Sequence, residues 1–131
     1  MADKIRKGAG IFFVCTEDNT ALLIRRSPEV SEPGTWGISG GNLKKGESFT
    51  RGAIRETLEE LGSIPRGRVV EVRENAGEGW KFAIFVADIS WKQKKVWSAQ
   101  IQLNHESDRF KWFRLNNFPT NLHSAISIIK T

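Results

Sequence analysis

The sequence predicts an α/β domain in which helices flank a mixed β-sheet. Apolar runs rich in β-branched and aromatic residues occur near the start of the chain and again after residue 67. A stretch with helical spacing separates these two groups, and another closes the chain. The resulting order of strand, strand, helix, strand, strand, strand and helix is typical of a layered α/β or α+β fold.

Size and composition limit the class of protein. A chain of 131 residues is expected to form a single domain over residues 1–131. Because 39% of the residues are hydrophobic and 27% are charged, a globular protein is expected, and disordered and membrane classes are disfavoured. The net charge of +5 indicates an anionic partner, either a phosphorylated small molecule or nucleic acid. Composition does not choose between these two.

The first two predicted strands form a hairpin. "GIFFVCT" and "ALLIRR" are joined by the polar turn sequence "EDNT". The first run follows basic residues, but it is short and lacks a cleavage site of small residues, so it is interpreted as a strand and not as a signal peptide. It contains the only cysteine, Cys15, which excludes an intrachain disulfide and favours a reducing cytoplasm.

The next segment is predicted to be a loop followed by a helix. "SPEVSEPGTWGISGG" is rich in proline and glycine, with a short strand expected at residues 36–38. The helix is predicted from Ser48, as N-cap, to Leu61, with Gly62 as its C-terminal stop. Its expected buried face consists of Ala53, Ile54, Leu58 and Leu61.

The second half predicts another hairpin, a strand and a helix. "RVVEVREN" and "WKFAIFVADI" are strand-like runs joined by "AGEG", and "RFKWFRL" is a further strand. "NLHSAISIIK" places Leu122, Ala125, Ile126 and Ile129 on one helical face.

The segment "SWKQKKVWS", residues 90–98, is interpreted as a flexible loop. Trp91 and Trp97 alternate there with lysines, so stacking on single-stranded RNA or a nucleotide tail is the alternative hypothesis.

The predicted helix carries an acidic cluster. Glu56 lies three residues before Glu59 and four before Glu60, so the three carboxylates project from one side. Oxygen ligands clustered in this way suit Mg²⁺ or Mn²⁺, with water and substrate phosphates completing the coordination. The alternative is a solvated acidic helix face.

The segment 41–63 resembles the Nudix box, G-x5-E-x7-R-E-U-x-E-E-x-G-U, where U is bulky and apolar. The fixed positions are occupied by Gly41, Glu47, Arg55, Glu56, Glu59, Glu60 and Gly62. Two U positions depart from the pattern, since they hold Thr57 and Ser63, which puts the packing of the helix in question. Upstream, "GTWGISGG" resembles the family's W-x-x-P-G-G sequence with Ser39 in place of proline.

The resemblance implies the Nudix fold, an α/β/α sandwich with a mixed β-sheet, and a metal-dependent hydrolase of nucleoside diphosphates linked to another group. The motifs of ADP-ribose, NADH and coenzyme A enzymes are absent, which leaves a MutT-like enzyme for a nucleoside triphosphate or related nucleotide. A dinucleoside polyphosphate or 5′-phosphorylated RNA hydrolase and a nucleotide sensor without catalysis remain as alternatives.

The resemblance also implies roles for single residues. The metal ligands would be the backbone carbonyl of Gly40 and the side chains of Glu47, Glu56, Glu59 and Glu60. The catalytic residues would be Arg55, Glu56, Glu59 and Glu106, with Glu56 or Glu106 as general base. The substrate-binding residues would be Arg26, Trp80 and Asn121.

Alternative roles stand beside several of these residues. The alternative prediction for Glu106 and Arg26 is a solvated side chain, and the alternative prediction for Asn121 is the N-cap of the last helix. The two histidines, His105 and His123, are expected to be neutral and on the surface. Three tryptophans, Trp36, Trp80 and Trp112, are expected in the core or in the cleft wall.

The expected cofactor is Mg²⁺ or Mn²⁺, and the expected partner is a nucleotide. Nucleic acid is the less favoured alternative, because ordered carboxylates repel phosphate unless a metal ion intervenes. No membrane partner is expected, the location is expected to be cytoplasmic, and the protein is expected to be a monomer or homodimer.

Overall fold

The computed structural model describes residues 5–128. The strands are β1 (Arg6–Cys15), β2 (Thr20–Arg26), β3 (Trp36–Gly37), β4 (Ser39–Asn42), β5 (Arg68–Gly77), β6 (Trp80–Asp88) and β7 (Ser107–Arg114). The helices are α1 (Phe49–Leu61), α2 (Trp91–Ser98) and a 3₁₀ helix at Ser124–Ile128. In the described part of the chain, no helix is long and apolar enough to cross a membrane.

The strands form one mixed, seven-stranded sheet. Its main path is β3-β2-β1-β6-β5, with β4 added on β1 and β7 added on β2. β1 and β6 run parallel over nearly their whole length, and the other pairings between these strands are antiparallel. β5 lies at the end of the path and, among the described strands, pairs only with β6. The predicted mixed sheet and its two hairpins are therefore confirmed.

Each face of the sheet packs on its own apolar cluster. One face is covered by α1 and α2, which contribute the buried residues Ala53, Leu61 and Trp97. The other face packs on the C-terminal segment, including Ile126 of the 3₁₀ helix. The predicted last helix is therefore wrong in type and in its start, since a 3₁₀ helix that begins only at Ser124 is formed within the described part of the chain. Ile129, predicted on its apolar face, lies outside that part.

α1 begins and ends where the sequence predicts. The Ser48 hydroxyl accepts a hydrogen bond from the Arg51 amide at 3.1 Å. Gly62 has φ of 81° and donates its amide to the Leu58 carbonyl, so a residue without a Cβ is needed there. These local signals set both ends of the helix.

The buried face of α1 differs from the prediction. Ile54 and Leu58 are 42% and 47% exposed, whereas Thr57 and Glu60 are fully or nearly fully buried. Ala53 and Leu61 are buried as expected. α1 is therefore rotated so that part of its polar side meets the sheet, which places Glu60 inside the protein.

The segment predicted to be a loop at residues 90–98 is the helix α2, which Ser90 caps. Trp97 is 2% exposed and packs on the Phe13 ring at 4.7 Å and on Trp112. Only Trp91 of this segment's tryptophans is exposed, with the Lys95 ammonium above its ring. The loop prediction was wrong because Trp97 anchors the segment in the core. Because Trp97 is buried, its ring is not available for the stacking on RNA or a nucleotide tail that the alternative hypothesis requires.

Candidate active site

A cavity of about 260 Å³ lies where β4, α1 and the loop before β7 meet. Its lining includes Arg26, Gly40, Glu60, Glu106 and His123. The fold therefore brings together groups from β2, β4, α1, the loop before β7 and the segment that contains His123. They are far apart in sequence, and four of these five residues were predicted as site residues.

Glu60 is the buried acid of this cavity. Only 5% of the residue is exposed, and its Oε2 accepts a hydrogen bond from the Gly40 amide at 3.3 Å. Burial raises the pKa of Glu60 well above its usual range, and the hydrogen bond with Glu56 and the charge of Glu106 act in the same direction. The Glu60 carboxylate is therefore buried within electrostatic range of two other acids, which is an arrangement that a cation would stabilise.

Arg55 connects the remaining acids of the helix. Its guanidinium bonds Glu47 through Nε at 2.8 Å and through Nη2 at 3.0 Å. Its Nη1 donates to Glu56 at 2.9 Å and to Glu59 at 3.0 Å, and Nη2 also donates to the Asn42 carbonyl. The hydrogen bond from Arg55 is the main cause that lowers the pKa of Glu47 to about 2. Arg55 thus holds Glu59 as well, although the Glu59 side chain is half exposed.

Each of the three departures from the Nudix pattern has a hydrogen-bond partner, and two of them pair with each other. The Ser39 hydroxyl lies 2.8 Å from the Thr57 hydroxyl, and both residues are buried. Ser63 accepts a hydrogen bond from the buried Trp97 indole at 3.0 Å. Hydroxyl pairing therefore takes the place of apolar packing between α1 and β4, and the three departures do not leave the helix unanchored.

The residues fit a hard divalent cation. A Cβ at Gly41 would lie 2.7 Å from the Glu56 carboxylate, so the missing side chain is what lets this acid approach β4. Within residues 5–128, no three acidic, histidine or cysteine side chains converge closely enough to hold a metal ion. Mg²⁺ is commonly held by one or two carboxylates together with substrate phosphates and water. Glu56 and Glu60 satisfy that requirement.

Glu106 lines the same cavity from the loop before β7 and is held there by hydrogen bonds. Its amide donates to Asn104 Oδ1, and its carboxylate accepts from Asn104 Nδ2 at 3.2 Å. Its carbonyl accepts a hydrogen bond from the Ser27 amide at 2.9 Å. Glu106 is thus a fixed, partly buried acid that faces Glu60, rather than an exposed loop acid.

Arg26 and Asn121 are both held by the loop at residues 27–35. The Arg26 guanidinium donates to the carbonyl and hydroxyl of Ser31 while the residue lines the cavity. The Asn121 amide donates to the Gly34 carbonyl at 2.8 Å. Asn121 is not the predicted N-cap, since the Ser124 amide is bonded by Glu32, and it is not among the described residues that line the cavity.

Sequence reasoning missed His123 as part of the cavity wall. It was expected on the surface, but its side chain is 21% exposed, and burial lowers its pKa. His123 Nε2 lies 3.2 Å from Glu32, and its Nδ1 accepts from the Ala125 amide. Glu32 also binds Ser124 and has φ of 51°. No sequence pattern marks this contact, because it joins residues about 90 positions apart.

The remaining predictions concern the burial of three tryptophans and of His105. Trp36 is buried and Trp112 is partly buried against the core, as expected. Trp80 is 40% exposed and lines a groove beside the cavity. His105 is exposed, as expected.

Comparison with known proteins agrees with this geometry. The NUDIX domain model matches residues 4–129. No curated protein sequence matches the chain significantly.

Solved structures of Nudix proteins superpose over most of the chain. A MutT NUDIX hydrolase from Burkholderia pseudomallei is 25% identical with a TM-score of 0.71, and 98% of each chain is covered. A NUDIX hydrolase from Nitrosomonas europaea is 20% identical with a TM-score of 0.75, covering 99% of this chain and 70% of that one. An Ap4A hydrolase from C. elegans is 23% identical with a TM-score of 0.62, covering 97% and 88%. The similarities to the Nitrosomonas europaea and C. elegans proteins, which are below 25% identity, concern the fold alone.

The Nudix box is thus folded with Glu60 in the cavity and with Arg55 bonded to its other three acids, and the family model spans nearly the whole chain. Members of this family are hydrolases of acid anhydrides that generally cleave nucleoside diphosphate-linked substrates and use divalent cations. The chain belongs to the Nudix hydrolase family.

Proposed function

We propose that this enzyme hydrolyses the diphosphate linkage of a nucleoside triphosphate or a related nucleotide by attack of water on phosphorus, with Mg²⁺ or Mn²⁺. The observation that supports the proposal is the buried Glu60 carboxylate, which faces Glu56 and Glu106 in a cavity that Arg26 also lines. Acids so close together are unfavourable by themselves but suit a cation bound with phosphate.

Glu56 and Glu60, together with the Gly40 carbonyl, are the proposed ligands of the cation. When bound, the cation would lower the pKa of water and neutralise charge that develops on the phosphate oxygens. Glu59, which is half exposed, would complete the acidic surface where the substrate enters. Arg55 holds Glu47, Glu56 and Glu59 in place, so it acts as a positioning residue.

Glu106 is the proposed general base. It lines the cavity from the loop before β7 and has no ion pair with Arg55, whereas Glu56 does. A carboxylate that is fixed by Asn104 and not neutralised by a guanidinium is the better proton acceptor. Arg26, which lines the same cavity, would contact a substrate phosphate.

The experiment is a turnover assay with nucleoside triphosphates, dinucleoside polyphosphates, nucleotide sugars and 5′-triphosphate RNA, with and without Mg²⁺. Glu60→Gln, Glu59→Gln and Glu106→Gln are compared with Glu17→Gln, an exposed glutamate in the β1–β2 turn. Metal-dependent turnover that the Glu60→Gln and Glu106→Gln variants lose, and that the Glu17→Gln variant keeps, is expected. Nucleotide binding without turnover of any compound would refute catalysis and favour a nucleotide sensor.

A further inference from the structure

An apolar groove runs along the side of α1 that faces β5. Its volume is about 420 Å³, and its wall is formed by α1, by the segment between α1 and β5, and by strands β1, β5 and β6. It shares no lining residue with the candidate active site. Four of its large apolar residues are between 36% and 55% exposed, namely Ile54, Leu58, Ile64 and Val69. A contiguous exposed apolar surface of this kind is typical of an interaction site.

α1 contributes a ridge of two apolar side chains to this groove. Ile54 and Leu58 lie four residues apart, so they are neighbours on one side of the helix. The core face of the same helix is already occupied by Ala53 and Leu61. Because a surface helix normally carries polar residues on the face away from the core, a second apolar side indicates that α1 packs on something further.

The outer strand β5 is largely uncovered on the sheet face that carries the two helices. α1 packs mainly on β1 and β4, and Trp97 of α2 packs towards β7. Val69 and Val72 are the register partners of Ala87 and Phe85, which belong to the cluster under α1, so all four side chains lie on that face. Both valines are about half exposed. A further helix beside α1 would cover β5 as α1 covers β1.

The charges around the groove favour an acidic occupant. Among the described residues that line it, none is charged. Arg51 lies on the outer surface of α1 beside the apolar ridge, and Arg66 lies in the segment before β5 that forms one wall. Both arginines are exposed, and neither forms an ion pair with another described side chain. Glu59, the acid next to the ridge, is already bonded to Arg55. The charge that is open to a partner here is therefore positive.

We propose that this groove binds an amphipathic helix of another protein, whose apolar side chains contact Ile54 and Leu58 and whose carboxylates reach Arg51 and Arg66. A second copy of this chain fits less well, because a two-fold interface brings the same patch of both copies together and would place arginines against arginines. A membrane fits less well, because the apolar residues form the wall of a concave groove and do not project from the surface. The inference concerns a surface apart from the acids of the active site, so it does not depend on hydrolysis.

The test uses synthetic helical peptides of about 18 residues, with Leu, Ile or Phe at positions i, i+3, i+4 and i+7 and with Glu and Ala elsewhere. Their affinities for the whole chain are measured by calorimetry and compared with those of the same peptides carrying Lys in place of Glu. The glutamate peptides are expected to bind at least about tenfold more tightly than the lysine peptides. Chemical shift changes on binding should centre on Ile54, Leu58, Ile64 and Val69.

Variants of the chain separate the apolar and the charged contributions. Ile54→Gln and Leu58→Gln change exposed positions, and each should weaken binding of the glutamate peptides by about tenfold. Arg51→Glu combined with Arg66→Glu should reverse the preference in favour of the lysine peptides. Val96→Gln and Lys92→Glu, both at exposed positions of α2, are the matched controls and should bind like wild type.

Several results would overturn the proposal. They are equal affinity for the two peptide sets, glutamate-peptide binding that Leu58→Gln leaves unchanged, and no saturable binding of any glutamate peptide up to about 1 mM. Sedimentation of the chain alone and flotation with vesicles of anionic lipid are measured on the same variants. Dimerisation or vesicle binding that both glutamine variants abolish would assign the groove to a second copy or to a membrane instead.

Discussion

The buried contact between Ser39 and Thr57 gives the most direct test of how this variant of the Nudix box is held together. The two hydroxyls are 2.8 Å apart, and the residues are 3% and 0% exposed. Thr57→Val keeps the shape of the side chain but leaves the Ser39 hydroxyl buried without this partner. Loss of one partner of a buried hydrogen bond costs about 1–3 kcal/mol. For a domain of this size, each kcal/mol lowers the melting temperature by roughly 3–6 °C.

The assay is a double-mutant cycle with Ser39→Ala, Thr57→Val and both together, followed by urea and thermal unfolding. The double variant should lose less free energy of unfolding than the sum of the single variants, with a coupling of about 1 kcal/mol. Thr50→Val, an exposed threonine on the same helix, is the control and should change stability by no more than about 0.5 kcal/mol. Additive effects, with a coupling below about 0.3 kcal/mol, would refute the contact as an interaction between the strand and the helix.

Three further predictions concern the site and the core. Arg55 lowers the pKa of Glu47 from 4.5 to about 2, so this pair stabilises the fold above pH 4.5 and loses its effect as pH falls towards 2. The difference in urea midpoint between wild type and Arg55→Ala should therefore shrink over that range. A constant difference would contradict the pairing. Gly41→Ala should displace Glu56 and reduce turnover about tenfold or more while the melting temperature changes little, and full activity would show that close approach is not required. Cys15 is fully buried, and burial raises the pKa of its thiol, so a thiol reagent should label it only after unfolding in urea, and rapid labelling of the native protein would contradict its position.

The sequence predicted the position of α1 well because the signals at its ends are local. Ser48 and Gly62 set the ends of the helix through contacts within one turn. The spacing of Glu56 and Glu60 fixes their common side of the helix axis. Which side meets the sheet is a tertiary property, however, and the apolar residues Ile54 and Leu58 turned out to be exposed.

The parts that sequence reasoning missed depend on contacts between distant segments. The 90–98 segment has lysines and two tryptophans in an order that fits a loop as well as a helix, and Trp97 decides the matter by packing on Phe13 and Trp112. The cavity wall at His123 depends on Glu32, from the loop between β2 and β3. Neither contact leaves a periodic pattern in the chain.

The outer edge of β5 bears on how the protein behaves at high concentration. This strand pairs only with β6 within the described sheet, and Val69, Val70 and Val72 are each about half exposed. A long edge strand with apolar side chains can recruit a strand from another chain, which is a route to aggregation. Glu71 and Glu74 place charge on the same strand and oppose such pairing. Their neutralisation is expected to reduce solubility, although it removes no contact from the core.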